Sequence, residues 1–307
     1  MITPTAAPLA AHTPRLRRLP RALLTVARPA QWIKNVLVLA APAAAVTLTR
    51  PEVLIRSLAA VLVFTIGSVG GYLLNDAHDV HADRQHPVKR TRPVAAGELR
   101  IRTAQVLGYG LCVLALAAAL PLGWRFTATI LAYLALTAAY SRWLKRIAVL
   151  DIIAVAVCFL LRAIGGGAAN RIPLSHWFLM VAAFGALFLV IGKRRAEQAA
   201  LGPDAVGHRA VSAAYTAEWL SQVQGLALSA TVVAYCLWAF QSLDREMLHS
   251  LVALSTIPFT TALLRYTLLV SHGAGERPEH TLVRDRLLVG CALCTALMLF
   301  LGLYVAH

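Results

Sequence analysis

Long apolar runs dominate the chain, separated by short polar stretches. A helix crossing the hydrocarbon core of a bilayer needs about 20 mostly apolar residues. Nine segments approach that length: 33–48, 53–74, 102–120, 126–140, 150–169, 174–192, 217–240, 248–270 and 287–305. The pattern predicts an all-α integral membrane protein with nine transmembrane helices. Pro42 interrupts the first of them, which membrane helices tolerate when neighbours satisfy the freed backbone. Ahead of the spans, Arg15, Arg17, Arg18, Arg21 and Arg28 stand among Leu, Val and Ala. Residues 1–30 are therefore expected to form a basic amphipathic segment on an anionic membrane face, not a cleavable signal. Residues 31–307 follow as one transmembrane domain.

Composition strengthens this picture. Hydrophobic residues make up 59% of the 307 residues and charged residues 14%, against roughly 25% charged in soluble domains. Mean hydropathy is +0.67. A disordered chain is excluded, as is an ordinary soluble enzyme. The 29 Lys and Arg exceed the 14 Asp and Glu, for a net charge of +15. With the N-terminus and every second loop on one side, only Arg50, Arg56, Arg125, Arg171 and Arg245 fall on the other, and Arg162 and Arg265 lie within spans. By the positive-inside rule the N-terminus is cytoplasmic and the C-terminus external, in a multi-pass protein of the plasma (inner) membrane. All the acids except Glu52, Asp244 and Glu246 share the cytoplasmic side. The rule concerns Lys and Arg alone, so chemistry is expected on that face. The five cysteines lie in apolar stretches and read as small buried hydrophobes. Cys291 and Cys294 form a CxxC with no second pair or nearby His, and are not read as a zinc or redox site.

The sharpest feature follows the second span: Asn75-Asp76-Ala77-His78-Asp79-Val80-His81-Ala82-Asp83. Asn75, Asp79 and Asp83 are spaced i, i+4, i+8 and Asp76, Asp79 and Asp83 i, i+3, i+7, so both sets are expected on one helix face, with His78 and His81 pointing away. Carboxylates so crowded repel unless a cation stands between them. Mg²⁺ takes oxygen ligands and completes its shell with water and substrate phosphate, so Asn75, Asp76, Asp79 and Asp83 are candidate metal ligands. The basic run Lys89-Arg90-Thr91-Arg92 follows at once, as a diphosphate substrate requires. Asp76, Asp79, Asp83, Lys89 and Arg90 are the catalytic candidates, with Arg92 beside them for substrate.

NDxxDxxxD followed by basic residues and RPxAxG resembles the first signature of the UbiA superfamily of intramembrane prenyltransferases. Residues 28–35, Arg-Pro-Ala-Gln-Trp-Ile-Lys-Asn, resemble the RPxxWxK motif of that family. The resemblance implies a UbiA-like helical bundle with an active-site cavity on the cytoplasmic side. It covers most of the chain. Members of the family carry a second acidic motif, DxxxD, after the sixth span. Here that stretch reads Gly192-Lys193-Arg194-Arg195-Ala196-Glu197, with cations where acids are expected. Either the run is merely topogenic or it binds an extra anion, and a donor with a diphosphate and a further phosphate would supply one. Phosphoribosyl pyrophosphate fits.

Tyr140-Ser141-Arg142-Trp143-Leu144-Lys145, with Asp151 after it, resembles the YxxxK motif of the family at a spacing one residue longer. Together with QWIKN, GKRRAE and the late Glu279, Arg284, Asp285 and Arg286, these motifs resemble one branch of the superfamily, the decaprenyl-phosphate phosphoribosyltransferases. The branch implies Mg²⁺-dependent transfer of 5-phosphoribosyl from phosphoribosyl pyrophosphate to a polyprenyl phosphate lipid, feeding cell-wall arabinan synthesis. Tyr140, Lys145, Asp151, Lys193, Arg194 and Glu197 are then candidates around the donor, and Lys34, Asn35 and Arg162 around the acceptor. From the residues alone, Arg162 either pairs with an acid such as Asp151 or reaches the lipid phosphate. Gly165-Gly166-Gly167 permits close packing or a helix break. The alternative enzyme is a UbiA-type prenyltransferase with a prenyl diphosphate donor. A transporter would place charges at mid-membrane, where only Arg162 and Arg265 come close. No nucleic-acid partner is expected, and a homo-oligomer is left open.

Overall fold

A computed structural model of the chain describes residues 22–201, 214–240, 249–273, 281 and 284–305. Residues 1–21 of the basic N-terminal segment, and Glu279, lie outside the described residues. The described chain is helical. A leading segment runs as a 3₁₀ helix over Pro29–Leu39 and a short α-helix over Ala40–Ala44. There follow α1 (Pro51–His78), α2 (Val80–Gln85), α3 (Ile101–Ala119), α4 (Trp124–Arg142), α5 (Leu150–Asn170), α6 (His176–Leu201), α7 (Ala217–Phe240), α8 (Thr256–Ser271) and α9 (Arg286–Phe300).

Among the described residues, seven helical stretches are long and apolar enough to cross a membrane: Pro51–His78, Ile101–Leu122, Leu150–Asn170, His176–Ala199, Ala217–Phe240, Ser250–Ser271 and Arg286–Val305. They correspond to seven of the nine expected spans. The first expected span is instead the 3₁₀ and short α pieces of the leading segment, because Pro42 cannot donate to a helical ladder. The fourth is α4, a helix of 19 residues. Its Thr129 and Tyr133 turn into the protein, and such polar positions lower its mean hydropathy.

Helix α1 starts cleanly, with Pro51 at its first position and Glu52 in its first turn, both favourable there. It packs lengthwise on α3, where Gly70 meets Gly108: a Cβ on Gly70 would lie 2.9 Å from the Gly108 carbonyl oxygen. Phe64, Phe126 and Tyr133 meet edge to face, with centroids 5.9 and 5.4 Å apart, in a core joining α1, α4 and α5. A second core joins α5, α6, α7 and α8 around Phe188, Ile191, Leu220 and Tyr266. A third, of Val26, Leu73, Ala77, Val80, Val94 and Leu99, folds the loop after α2 back onto the end of α1. That third core fixes the acidic stretch. Outward-facing Leu58, Leu62, Val106, Val113, Leu226 and Leu293 stay exposed, as lipid contact demands.

The triple glycine does not break α5, which runs unbroken to Asn170. It serves close packing: a Cβ on Gly166 would lie 1.8 Å from the Val38 carbonyl oxygen. The leading segment is thus pressed directly onto α5.

Candidate active site

Thr65, Ser68, Tyr72 and Asp76 share one inward face of α1. Asp76, 2% exposed, takes Arg28 Nη2 at 2.7 Å and Arg92 Nη1 at 3.0 Å. Asp83, also buried, takes the same Arg92 Nη1 at 2.7 Å. One guanidinium nitrogen therefore bridges both carboxylates, and the two acids converge. Asp79 stands apart, with Lys145 Nζ at 2.5 and 2.7 Å from its two oxygens.

This corrects the expectation of one continuous acidic face. Helix α1 ends at His78, and Asp79 has φ −91° and ψ 7° before α2 begins at Val80. Like charges stacked at i, i+3 and i, i+4 repel. The break sets Asp79 apart on Lys145, while Asp76 and Asp83 share Arg92. Asn75 is half-buried beside them, and His78 and His81 are exposed. Arg92 makes the ion pairs, while Lys89 is half-buried and Arg90 exposed on the turn before it.

Does this arrangement fit Mg²⁺? Among the described residues no three His, Cys, Asp or Glu side chains form a metal cage. Asp76 and Asp83 nonetheless offer hard oxygens that already meet at one point. Mg²⁺ is commonly held by one or two carboxylates plus substrate phosphates. The residues present fit that mode.

A second cluster gathers the turn into α5 and its first residues, the end of α6 and the residues just ahead of α7. Arg194, 9% exposed, lies 3.2 Å from Asp151 and 2.9 Å from Glu197. Lys193 reaches Glu197 at 3.7 Å. Arg195 turns away and donates to Gln224 of α7 at 2.6 Å. Of the basic run, Lys193 and Arg194 thus share one cluster and Arg195 does not. Tyr140 stands within electrostatic range of Arg194. Tyr215, which carried no sequence signal, donates to Asp151 and accepts the Val149 backbone N–H at 2.6 Å. Val149 holds φ 68°, an outlier for a β-branched residue. Tyr215 therefore clamps a strained turn on the loop that carries Lys145. Burial, followed by the bond to Asp151, pushes the Tyr215 hydroxyl from 10.0 up to about 12.

A third cluster lies deeper. Arg162 does not pair with Asp151. It donates to Asn35 Oδ1 at 2.8 Å, the Cys158 carbonyl at 2.7 Å, Tyr133 at 3.0 Å and Ser68 at 3.3 Å. Asn35 in turn donates to Thr65 at 2.9 Å. Lys34 and Arg162 both approach the Phe159 ring, each 5.8 Å from its centroid. Tyr72 links the levels, lying under Arg28 at 4.8 Å and within electrostatic range of Arg162 and Tyr133. In the sequence Arg28 stands out only as part of a motif and a charge pattern, and the RPxxWxK match is the signal that marks it. Its φ of 50° is the uncommon left-handed conformation, and its guanidinium meets Asp76.

Two features lie off this axis. A cavity of about 130 Å³ between α1, α3 and α4, lined by His78, Gln105, Tyr109, Ser141 and Arg142 among others, opens on a different face of α1 from Asp76. Asp285 accepts the Leu288 N–H at 3.0 Å and Arg265 Nη2 at 2.8 Å. It caps α9 and ties it to α8, and Arg286 begins that helix.

Comparison with known proteins places this geometry. The model of the UbiA prenyltransferase family matches residues 36–287. A Mycobacterium tuberculosis protein named decaprenyl-phosphate phosphoribosyltransferase is 43% identical over 270 residues, covering 87% of this chain and 89% of that protein. A Corynebacterium glutamicum protein of the same name is 39% identical over 298 residues, covering 92% and 87%. Among solved structures, a UbiA homolog from Archaeoglobus fulgidus bound to DMAPP and Mg²⁺ superimposes with a TM-score of 0.70 at 18% identity, over 93% of this chain and 99% of that one.

Proposed function

The chain belongs to the UbiA prenyltransferase family, and from that premise we propose that it transfers 5-phosphoribosyl from phosphoribosyl pyrophosphate to a polyprenyl phosphate, decaprenyl phosphate in the first instance. The product would be decaprenylphosphoryl-5-phosphoribose, with diphosphate released, in support of cell-wall arabinan synthesis. The observation that carries this reading is the identity of about 40%, along nearly the whole chain, to proteins named for that transfer. The location is the plasma membrane, with the carboxylates on the cytoplasmic side where a soluble donor arrives, supported by the Lys and Arg asymmetry of the loops.

The chemistry follows from the side chains present. An oxygen of the acceptor phosphate attacks C1 of the ribose, the bond from C1 to the diphosphate oxygen breaks, and the electron pair leaves with diphosphate. The attacking group is already an anion, so no general base is needed. Mg²⁺, held by Asp76 and Asp83 with Asn75 beside them and Asp79 set apart on Lys145, would supply charge to the leaving diphosphate. Arg28 and Arg92 are placed to bind that group's remaining oxygens, with Lys89 and Arg90 at the mouth. Lys145 offers a further cation beside Asp79. Lys193 and Arg194, held by Glu197 and Asp151, are assigned to the 5-phosphate, with Tyr140 next to them.

The test uses purified protein in detergent with Mg²⁺ and decaprenyl phosphate. Labelled phosphoribosyl pyrophosphate should pass its ribosyl label into lipid, and EDTA or Asp76→Ala should abolish the transfer. Turnover only of a labelled prenyl diphosphate with an aromatic acceptor would overturn the reading and leave the fold intact.

A further inference from the structure

Two cations are buried among the described residues, Arg162 and Arg194. Arg194 has Asp151 and Glu197 beside it. Arg162, 5% exposed, meets no carboxylate among the described residues. An amide oxygen, a backbone carbonyl, two hydroxyls and the rings of Tyr133, Phe64 and Phe159 surround it, all of them neutral. Arg56 shows how this fold settles a cation without an acid. It donates to the Leu122 and Ala169 carbonyls, at helix ends where the dipole is negative. Arg162 lies in mid-helix and has no such end. A guanidinium does not lose its proton on burial, and a buried charge lacking a counter-ion is costly. Four neutral acceptors take four of its five N–H groups and leave its charge uncompensated. The site is set for an anion.

We propose that Arg162, with Asn35, Ser68 and Tyr133, receives the phosphate of the lipid acceptor and selects phosphorylated over neutral polyprenyl lipids. The assignment rests on the phosphoribosyl-transfer reading. Depth supports it over any group of the donor. Ser68 and Asp76 are eight residues apart on α1, about 12 Å at 1.5 Å per residue. In an in-line displacement the leaving and attacking oxygens stand on opposite sides of C1. A diphosphate at Asp76 and Asp83 therefore puts the attacking phosphate deeper along the same face, past Tyr72, where Arg162 lies. Lys34, which approaches the same Phe159 ring as Arg162, adds a second positive charge. A soluble donor enters from the carboxylate end, whereas a lipid brings its head group in from the membrane.

The experiment measures binding of farnesyl phosphate, farnesol and phosphoribosyl pyrophosphate separately, each to the full chain in detergent. Wild-type protein should bind farnesyl phosphate at least ~10-fold tighter than farnesol, as a charge-assisted contact requires. Arg162→Gln should lose at least ~10-fold in farnesyl phosphate affinity while its affinity for phosphoribosyl pyrophosphate stays within about twofold. Arg162→Lys, which keeps the buried charge, should lie between the two and decides by the same split if the Gln variant does not fold. Equal wild-type affinity for farnesol, or an equal loss of donor affinity in the variants, would overturn the proposal. Wild-type protein that transfers nothing from phosphoribosyl pyrophosphate would instead overturn the reading of function.

Discussion

Replacing Gly166 by Ala tests whether the leading segment positions the deep cluster. The new Cβ would stand 1.8 Å from the Val38 carbonyl oxygen, where unstrained contacts sit at about 3.5 Å, so the segment must retreat by roughly 1.7 Å. Overpacking of this kind costs about 1–3 kcal/mol. Val38 is three residues from Asn35, and Asn35 bonds Arg162 at 2.8 Å and Thr65 at 2.9 Å. A retreat of that size breaks both bonds, and misplacement by about 1 Å can lower a rate ~100-fold. The assay pairs a melting curve with steady-state transfer, using Gly225→Ala as control, since a Cβ there meets nothing within 4 Å. Gly166→Ala should melt lower by several degrees, at about 2–4 °C per kcal/mol for a chain of comparable size. Its KM for the lipid acceptor should rise more than its KM for the donor. If Gly166→Ala matches Gly225→Ala in both stability and acceptor KM, the reasoning fails.

Lys145→Met removes the cation paired with Asp79; transfer should fall about tenfold or more while the melting temperature hardly moves, because partly exposed pairs stabilise by about 0–1 kcal/mol. An unchanged rate would remove Lys145 from the site. Arg194→Gln should raise the donor KM, since it frees two carboxylates beside the 5-phosphate site, whereas Arg195→Gln should leave it near wild type; the reverse order would reassign the basic run. Tyr215→Phe deletes the donor to buried Asp151 and should cost about 1–3 kcal/mol, read as a lower melting temperature. Because the Tyr215 hydroxyl is pushed up to about 12, its stabilisation is complete below about pH 10 and disappears as pH climbs to about 12. Wild-type stability should therefore fall more steeply than that of Tyr215→Phe across that window, and curves parallel at every pH would refute the assignment.

Hydropathy by itself determined the membrane class and seven of the long helices, because lipid imposes length and apolarity on each span separately. The motifs in residues 75–92 and 28–35 likewise carried the family and marked the acidic stretch, since those residues are close in sequence. The leading 3₁₀ segment was not legible, because a run of apolar residues with one proline does not say which ladder it forms. The break at Asp79 was also hidden: periodicity assumes a continuous helix, and only the cations brought in by Arg28, Arg92 and Lys145 decide where each carboxylate turns. These partners lie 48, 16 and 66 residues from the acids they meet. The partners of Arg162 were undecidable for the same reason. Asp151 stands on nearly the same helix face one-dimensionally, yet Tyr215 and Arg194 take it, and Asn35, Ser68 and Tyr133 take Arg162. Sequence spacing fixes what a residue can reach along its own helix. Which helix stands opposite, and with what charge, is settled by packing: glycines that let backbones meet, and buried charges that must find partners.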